Sequence, residues 1–262
     1  WAGIDGVLGT ADDVAFPVTT NAAGGYLVSN LPFGPYSVTV DPATLPAGPT
    51  DPTYDVDGVG TANTALVSLS VENPDELDVD FSYSGKGSIG DVIWLDLNGD
   101  GVQDVGEPGI GGVVVTLTFT GPDGNPVTVT ATTAADGTYL FEHLPAGTFT
   151  VSVDPATLPA GVVGTFDLDG IGTGDTTSVT LADGQDRRDV DFGYTGVGSL
   201  GDRVWWEVDG DGDGVFDTGS DLPLAGVTVT ATWVGIDGIA GTADDLVLTT
   251  TTAADGTYLF PR

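Results

Sequence analysis

The chain has 262 residues and carries five lysines and arginines against 39 aspartates and glutamates, a formal charge of −34. That balance excludes nucleic-acid binding, whose affinity is built on phosphate neutralisation by Lys and Arg, and it disfavours anionic membrane surfaces. Apolar residues are 40% of the sequence, enough for a packed core, and cysteine is absent, which removes disulfides and thiolate metal sites.

Forty-one glycines and 16 prolines leave little room for helix, while abundant Thr and Val suit a pleated surface, so the expectation is an all-β protein. No apolar run reaches the roughly 18 to 20 residues of a membrane helix, so no membrane insertion is expected in this segment. Internal repeats organise the chain. GSIGDVIW at Gly87 returns as GSLGDRVW at Gly198, VDPATLPAG stands at Val40 and at Val153, and TTAADGTYLF stands at Thr132 and at Thr251. The opening WAGIDGVLGTADD returns as WVGIDGIAGTADD at Trp233.

In chain order, residues 1–84 read as the C-terminal part of a first β-sandwich repeat, 85–196 as a complete second, and 197–262 as the N-terminal part of a third. Within the complete repeat, strands are expected near 89–95, 112–119, 126–133, 137–142, 147–153, 175–181 and 188–195, bounded by Gly, Pro and Asp turns. The spacing predicts seven strands. Val113, Val115, Leu117 and Phe119 point one way and Val114, Thr116, Thr118 and Thr120 the other, as in a half-buried strand. The links between copies are short, so successive repeats should lie close together, end to end.

The strongest chemical signal is the run from Asp96 to Glu107. Asp96, Asn98, Asp100, Asp104 and Glu107 fall at positions 1, 3, 5, 9 and 12 of a twelve-residue loop, with Gly101 at 6 and the Val102 carbonyl at 7. Alternate residues of a tight loop turn their oxygens inward, and calcium accepts six to eight of them. At the matching place in the third copy stand Asp209, Asp211, Asp213, Val215 and Asp217. Ser220 there holds position 12, and Asp221 follows it. The residues around both loops read as strand, so these are EF-hand-like loops without the helices. Calcium is the expected cofactor and, without cysteine, the staple of the fold.

Weaker candidates are Asp5, Asp12 and Asp13, their counterparts Asp237, Asp244 and Asp245, and the pairs Asp55/Asp57 and Asp167/Asp169; each also suits an ordinary acidic turn. Asp78, Asp80, Asp189 and Asp191 alternate as the outward face of a last strand. The single histidine, His143, sits where the first copy has Asn30 and reads as a surface-loop residue. Trp94 and Trp205 take equivalent strand positions and read as core, leaving Trp1, Trp206 and Trp233 as the aromatics a sugar platform could use.

The stretches Ser88 to Leu117, Gly137 to Val153 and Asp189 to Tyr194 together resemble the B-type repeats of serine-aspartate-repeat surface proteins, related to collagen-adhesin B-type domains. The resemblance implies prealbumin-like (Ig-like) β-sandwiches, calcium in the first loop, and a stalk or spacer role at a prokaryotic cell surface. Some collagen-adhesin relatives carry a Lys–Asn isopeptide bond. Lys86, the lone lysine, has Val197 at its place in the next copy, so no repeat-wide crosslink is expected. One histidine, one lysine and no cysteine argue against an enzyme. The expected function is a non-catalytic, calcium-rigidified array forming a stalk or extracellular filament. Its partners would be neighbouring repeats or other copies, with strand complementation at the incomplete ends as a variant. The alternative is an adhesin module whose repeats bind a glycan or protein.

Overall fold

The computed structural model describes residues 1–45, 51–208, 212–235, 238–242 and 245–260. Its body, residues 87–196, is two β-sheets packed face to face. The strand Gly87–Leu95 is the centre of the first sheet. It runs parallel to Phe192–Gly196, with Phe192 opposite Ile93 and Tyr194 opposite Leu95, and antiparallel to Thr138–Leu144. Val162–Asp167 extends the sheet beyond Phe192–Gly196, and the short Asp186–Arg187 lies parallel to the start of Gly87–Leu95. The second sheet runs Thr176–Leu181, Gly147–Val153, Val114–Thr120, Pro126–Thr132, antiparallel throughout.

Period-2 patterning fills the space between the sheets. Val113, Val115, Leu117, Phe149, Val151 and Val179 face Ile89, Ile93, Phe141, Val190 and Phe192 in one buried cluster, while the intervening threonines face outward. Trp94 is buried as expected, and Trp205 is half-buried. Trp233, read as a candidate for an exposed platform, is half-buried and packs with Leu246 against this cluster, whereas Trp206 is 61% exposed. Gly109 is required by close approach: a Cβ there would lie 1.8 Å from the Asp136 carbonyl.

Residues 87–196 form nine strands rather than the expected seven. The two additions are Val162–Asp167, whose glycine-interrupted VVGTFD run lacks clean alternation, and the two-residue Asp186–Arg187. The last strand begins at Phe192 rather than Arg188, because the Val92 N–H is taken by the Asp191 carboxylate at 3.0 Å instead of a backbone carbonyl. Asp191 therefore does not lie on an outward face. Burial, against that hydrogen bond and with the charges of Asp91 and Asp189 nearby, pushes its pKa up to about 6. Asp78, Asp80 and Asp189 are exposed, as expected.

The flanking segments repeat parts of this pattern. Gly34–Thr39 pairs with Thr64–Leu69 as Gly147–Val153 does with Thr176–Leu181, and Asp51–Tyr54 pairs with Ser82–Ser84 as Val162–Asp167 does with Phe192–Gly196. On the other side, Leu200–Arg203 pairs with Thr257–Phe260 and Thr228–Trp233 with Leu246–Thr251. Side-chain bonds recur too. The Thr133 hydroxyl donates to the Ile110 carbonyl at 2.7 Å and accepts from Val113 N, and Thr252 does the same with Leu224 and Val227. Across the junctions, Gly85 N donates to His143 O, Lys86 pairs with Asp51 at 2.8 Å, and Val197 N donates to Gly161 O at 3.0 Å. His143 is exposed at φ 58 and its counterpart Asn30 has φ 59, so the shared requirement is a left-handed turn. No helix among the described residues is long and apolar enough to cross a membrane.

Candidate functional site

The loop from Asp96 to Glu107 leaves the central strand at Leu95 and returns against it. Leu95 N donates to Pro108 O at 2.8 Å, and Trp94 bridges Gly109, so the loop is closed at its base. Asp96 is fully buried. Its two carboxylate oxygens accept from Gly99 N at 2.6 Å and Gly101 N at 2.8 Å. Burial pushes its pKa up, but the Thr165 hydroxyl and the N–H groups of Gly101, Gly99 and Asp100 outweigh this and hold the carboxylate below its ordinary value. Gly101 has φ +76, and a Cβ there would meet Thr165 O at 3.0 Å, so the sharp bend requires glycine.

Asn98 takes Asp100 N on its side-chain carbonyl and donates its amide to Asp100 and Asp104, both at 3.0 Å. One NH2 group thus lies between two carboxylates, the point at which a cation's charge would be favoured. Asp100 also accepts from Val102 N at 2.9 Å. Glu107 clasps the loop from below, accepting from Leu97 N at 2.7 Å and Asp104 N at 3.1 Å. An all-oxygen set of this kind suits a hard divalent cation. Among the described residues no three Asp, Glu or His side chains stand together as metal ligands; the carboxylates of Asp96, Asp100 and Glu107 are turned onto backbone N–H groups and that of Asp104 onto the Asn98 amide.

In the second loop Asp209 and Asp211 lie outside the described residues. Asp213 accepts from Val215 N at 2.8 Å. Asp221, 4% exposed, accepts from Val208 N at 3.2 Å and Asp217 N at 3.0 Å. These bonds mirror those of Glu107 to Leu97 and Asp104, so Asp221 holds the place of Glu107 and Glu207 that of Asp96. Counting back from the glycines makes Asp209 the first position and passes over Glu207. The repeat alignment of Gly87 with Gly198 could have found it, since it carries Asp96 onto Glu207.

Most of the weaker candidates are engaged in their own turns. Asp12 accepts from Ile4 N, Asp5 N and the Thr10 hydroxyl, which with the Thr10 bond foremost lower its pKa, and Asp13 accepts from Gly9 N at 2.7 Å. Asp245 repeats the Asp13 bond with Gly241 N, while Asp237 and Asp244 lie outside the described residues. The pairs Asp55/Asp57 and Asp167/Asp169 differ: Asp55 and Asp167 are buried.

Residues 87–194 match the family model of the SdrD B-like domain. Over 93% of its length the chain is 33% identical to serine-aspartate repeat-containing protein F of Staphylococcus epidermidis, and over 92% it is 33% identical to serine-aspartate repeat-containing protein D of Staphylococcus aureus strain Newman. It spans 14% and 18% of those two relatives. Among solved structures, the Bacillus anthracis TIE protein aligns with 92% of this chain and 36% of its own, at 18% identity and a TM-score of 0.36.

Proposed function

Because residues 87–194 belong to the SdrD B-like family, we propose that the chain is a structural module of a prokaryotic cell-surface protein, a non-catalytic stalk or filament segment stiffened by calcium. Its place is outside the cell. In this reading residues 1–84, 85–196 and 197–262 are parts of three successive repeats. Each touches its neighbours, and strand addition from another copy is open to those that lack a partner strand. The observation that carries the calcium reading is the loop at Asp96. Its acidic oxygens, a bridging amide and a required glycine are gathered at the base of the central strand, and a second loop closes by the same clasp.

Asp96, Asn98, Asp100, Asp104, Glu107 and the Val102 carbonyl would hold the ion in the first loop. Glu207, Asp209, Asp211, Asp213, Val215, Asp217 and Asp221 are the set from which the second would draw. Calcium neutralises mutually repelling carboxylates and ties the loop to the sheet. At 100 times its dissociation constant it adds about 2.7 kcal/mol per site. Thermal unfolding of the chain in calcium and in chelator tests this. The expected result is a melting temperature raised on the order of 10 °C by calcium and a much smaller rise in D96N/D100N. Equal melting in both media would sink the reading.

One observation favours the adhesin alternative. A groove of about 570 Å³, lined by Pro155, Leu158, Val162, Phe166 and Ile171 among others, offers apolar walls to a ligand.

A further inference from the structure

The two joints between copies use the same positions for opposite chemistry. Asp51 lies in register with Ser84 as Val163 does with Thr195, and two residues further on stand Lys86 and Val197. At the first joint these positions form an ion pair, Lys86 Nζ to Asp51 at 2.8 Å, with both side chains nearly half exposed. Lys86 is the only lysine of the chain. Its link lies against the second copy: a Cβ on Gly85 would fall 2.0 Å from Leu144 O, and one on Gly184 would lie 3.8 Å from Lys86 Cβ. The Asp51 bond, and then the charges of Asp51 and Asp183, hold the ammonium above its ordinary pKa, so Lys86 answers an acid of each copy. At the second joint both positions are valine, each half exposed, and Val197 N donates to Gly161 O.

A hairpin crosses the second joint. Gly87 pairs with Leu144, and Phe119 pairs with Phe149 just after Gly147, so the turn beyond Thr120 lies at the Gly87 end of the body, the end met by the copy before. In the second copy this turn is the short Gly121–Asn125, whose Asp123 is engaged by Asn125. In the third copy the same hairpin, Thr228–Trp233 with Leu246–Thr251, ends on the facing pair Trp233 and Leu246, and these pack against the second copy's core cluster. Apolar contact that excludes water does not weaken with salt, whereas an exposed ion pair is screened.

We propose that the first joint is an ionic hinge, closed by Lys86 on Asp51, and the second an apolar clasp, closed by the Trp233 hairpin, so that ionic strength loosens the chain at one joint and leaves the other fixed. In a chain of net charge −34, copies that meet bring carboxylates together. The first joint answers with a cation and the second with apolar surface. Removing Lys86 alone should reverse the response: Asp51 and Asp183 then repel, and salt draws the joint together. The proposal rests on the reading of the chain as successive repeats and not on the calcium loops.

The chain has no cysteine, so pairs of spin labels can be placed by substitution alone. Ser37→Cys with Thr130→Cys spans the first joint, and Thr130→Cys with Thr249→Cys the second; all three side chains are exposed. Distance distributions by double electron–electron resonance are recorded on the full chain at a constant excess of calcium, from about 0.1 M to about 1 M salt, over which the screening length falls from about 10 Å to about 3 Å. The first-joint distribution should broaden with salt and the second-joint distribution should not. D51V/K86V should abolish the salt response of the first joint, K86Q should invert it, and V163D/V197K should create one at the second. W233A should broaden the second-joint distribution at every salt concentration. An equal salt response at both joints, or a second joint that neither V163D/V197K nor W233A alters, would overturn the proposal. Because calcium is held constant, these distances are read separately from the melting test of the loops.

Discussion

Glu107 and Asp221 end two loops of unequal length, yet each gives its carboxylate oxygens to the same two backbone N–H groups. These are the residue after the loop's first acid, Leu97 or Val208, and Asp104 or Asp217. Twelve residues run from Asp96 to Glu107 and fifteen from Glu207 to Asp221. What is kept is the closure, a carboxylate bolting the loop's return to its exit, while the length between can grow. The shorter Asp221 side chain follows a loop with extra residues, which bring it within reach.

The largest expected effect separates closure from count. E107Q and D221N should each lower stability by about 1–3 kcal/mol, because an amide NH2 would then face a backbone N–H left without its acceptor. Ser220→Ala should change melting little. If Ser220→Ala matched D221N, the twelve-residue count would be the better guide and the pairing of Asp221 with Glu107 would fail. The loop glycines come next. Gly101 has φ +76, and a Cβ added to it would stand 3.0 Å from Thr165 O, whereas its counterpart Gly214 has φ +73 and open space around it. G214A should cost about 1 kcal/mol from backbone strain alone. G101A should cost more, read as the difference between their denaturant midpoints.

The smallest effect concerns the strand that carries the first loop. Asp191 is ionised at pH 7 at some cost, and its pKa in the fold lies near 6, above its unfolded value near 3.8. Its contribution is therefore fully present below the unfolded value and lost as pH rises through about 6. Between pH 7 and pH 5 the wild type should gain stability relative to D191N, measured in chelator. A flat difference across that window would mean that Asp191 is solvated rather than buried against Val92.

Much of the fold was legible because its signals are local and repeated. The alternation at Val113–Thr120 and the identical VDPATLPAG runs need no tertiary information, and Asp41 and Asp154 cap the same Pro-Ala-Thr turn with bonds of 3.0 Å to Ala43 N and Ala156 N. Val162–Asp167 was not legible. Its strand character comes from pairing with Phe192–Gly196, about 30 residues on, rather than from its own pattern. Glu207 was hidden by an insertion that leaves the Asp-Gly-Asp-Gly run intact but moves it relative to the strand. Spacing picked out Asp55 and Asp167 among the weaker cation candidates, but the burial that leaves their oxygens unpartnered could not be read from DVDG and DLDG, which equally suit a solvated turn.

The parallel pairing of Gly87–Leu95 with Phe192–Gly196 also bears on mechanics. These strands begin and end the nine-stranded body, so tension applied through the chain at Gly87 and Gly196 pulls them in opposite directions along their length. Their hydrogen bonds are then sheared together rather than opened one after another from an edge. The rate of forced unfolding is set by that single concerted rupture, and a string of such domains would resist stretching up to a threshold and then yield one unit at a time.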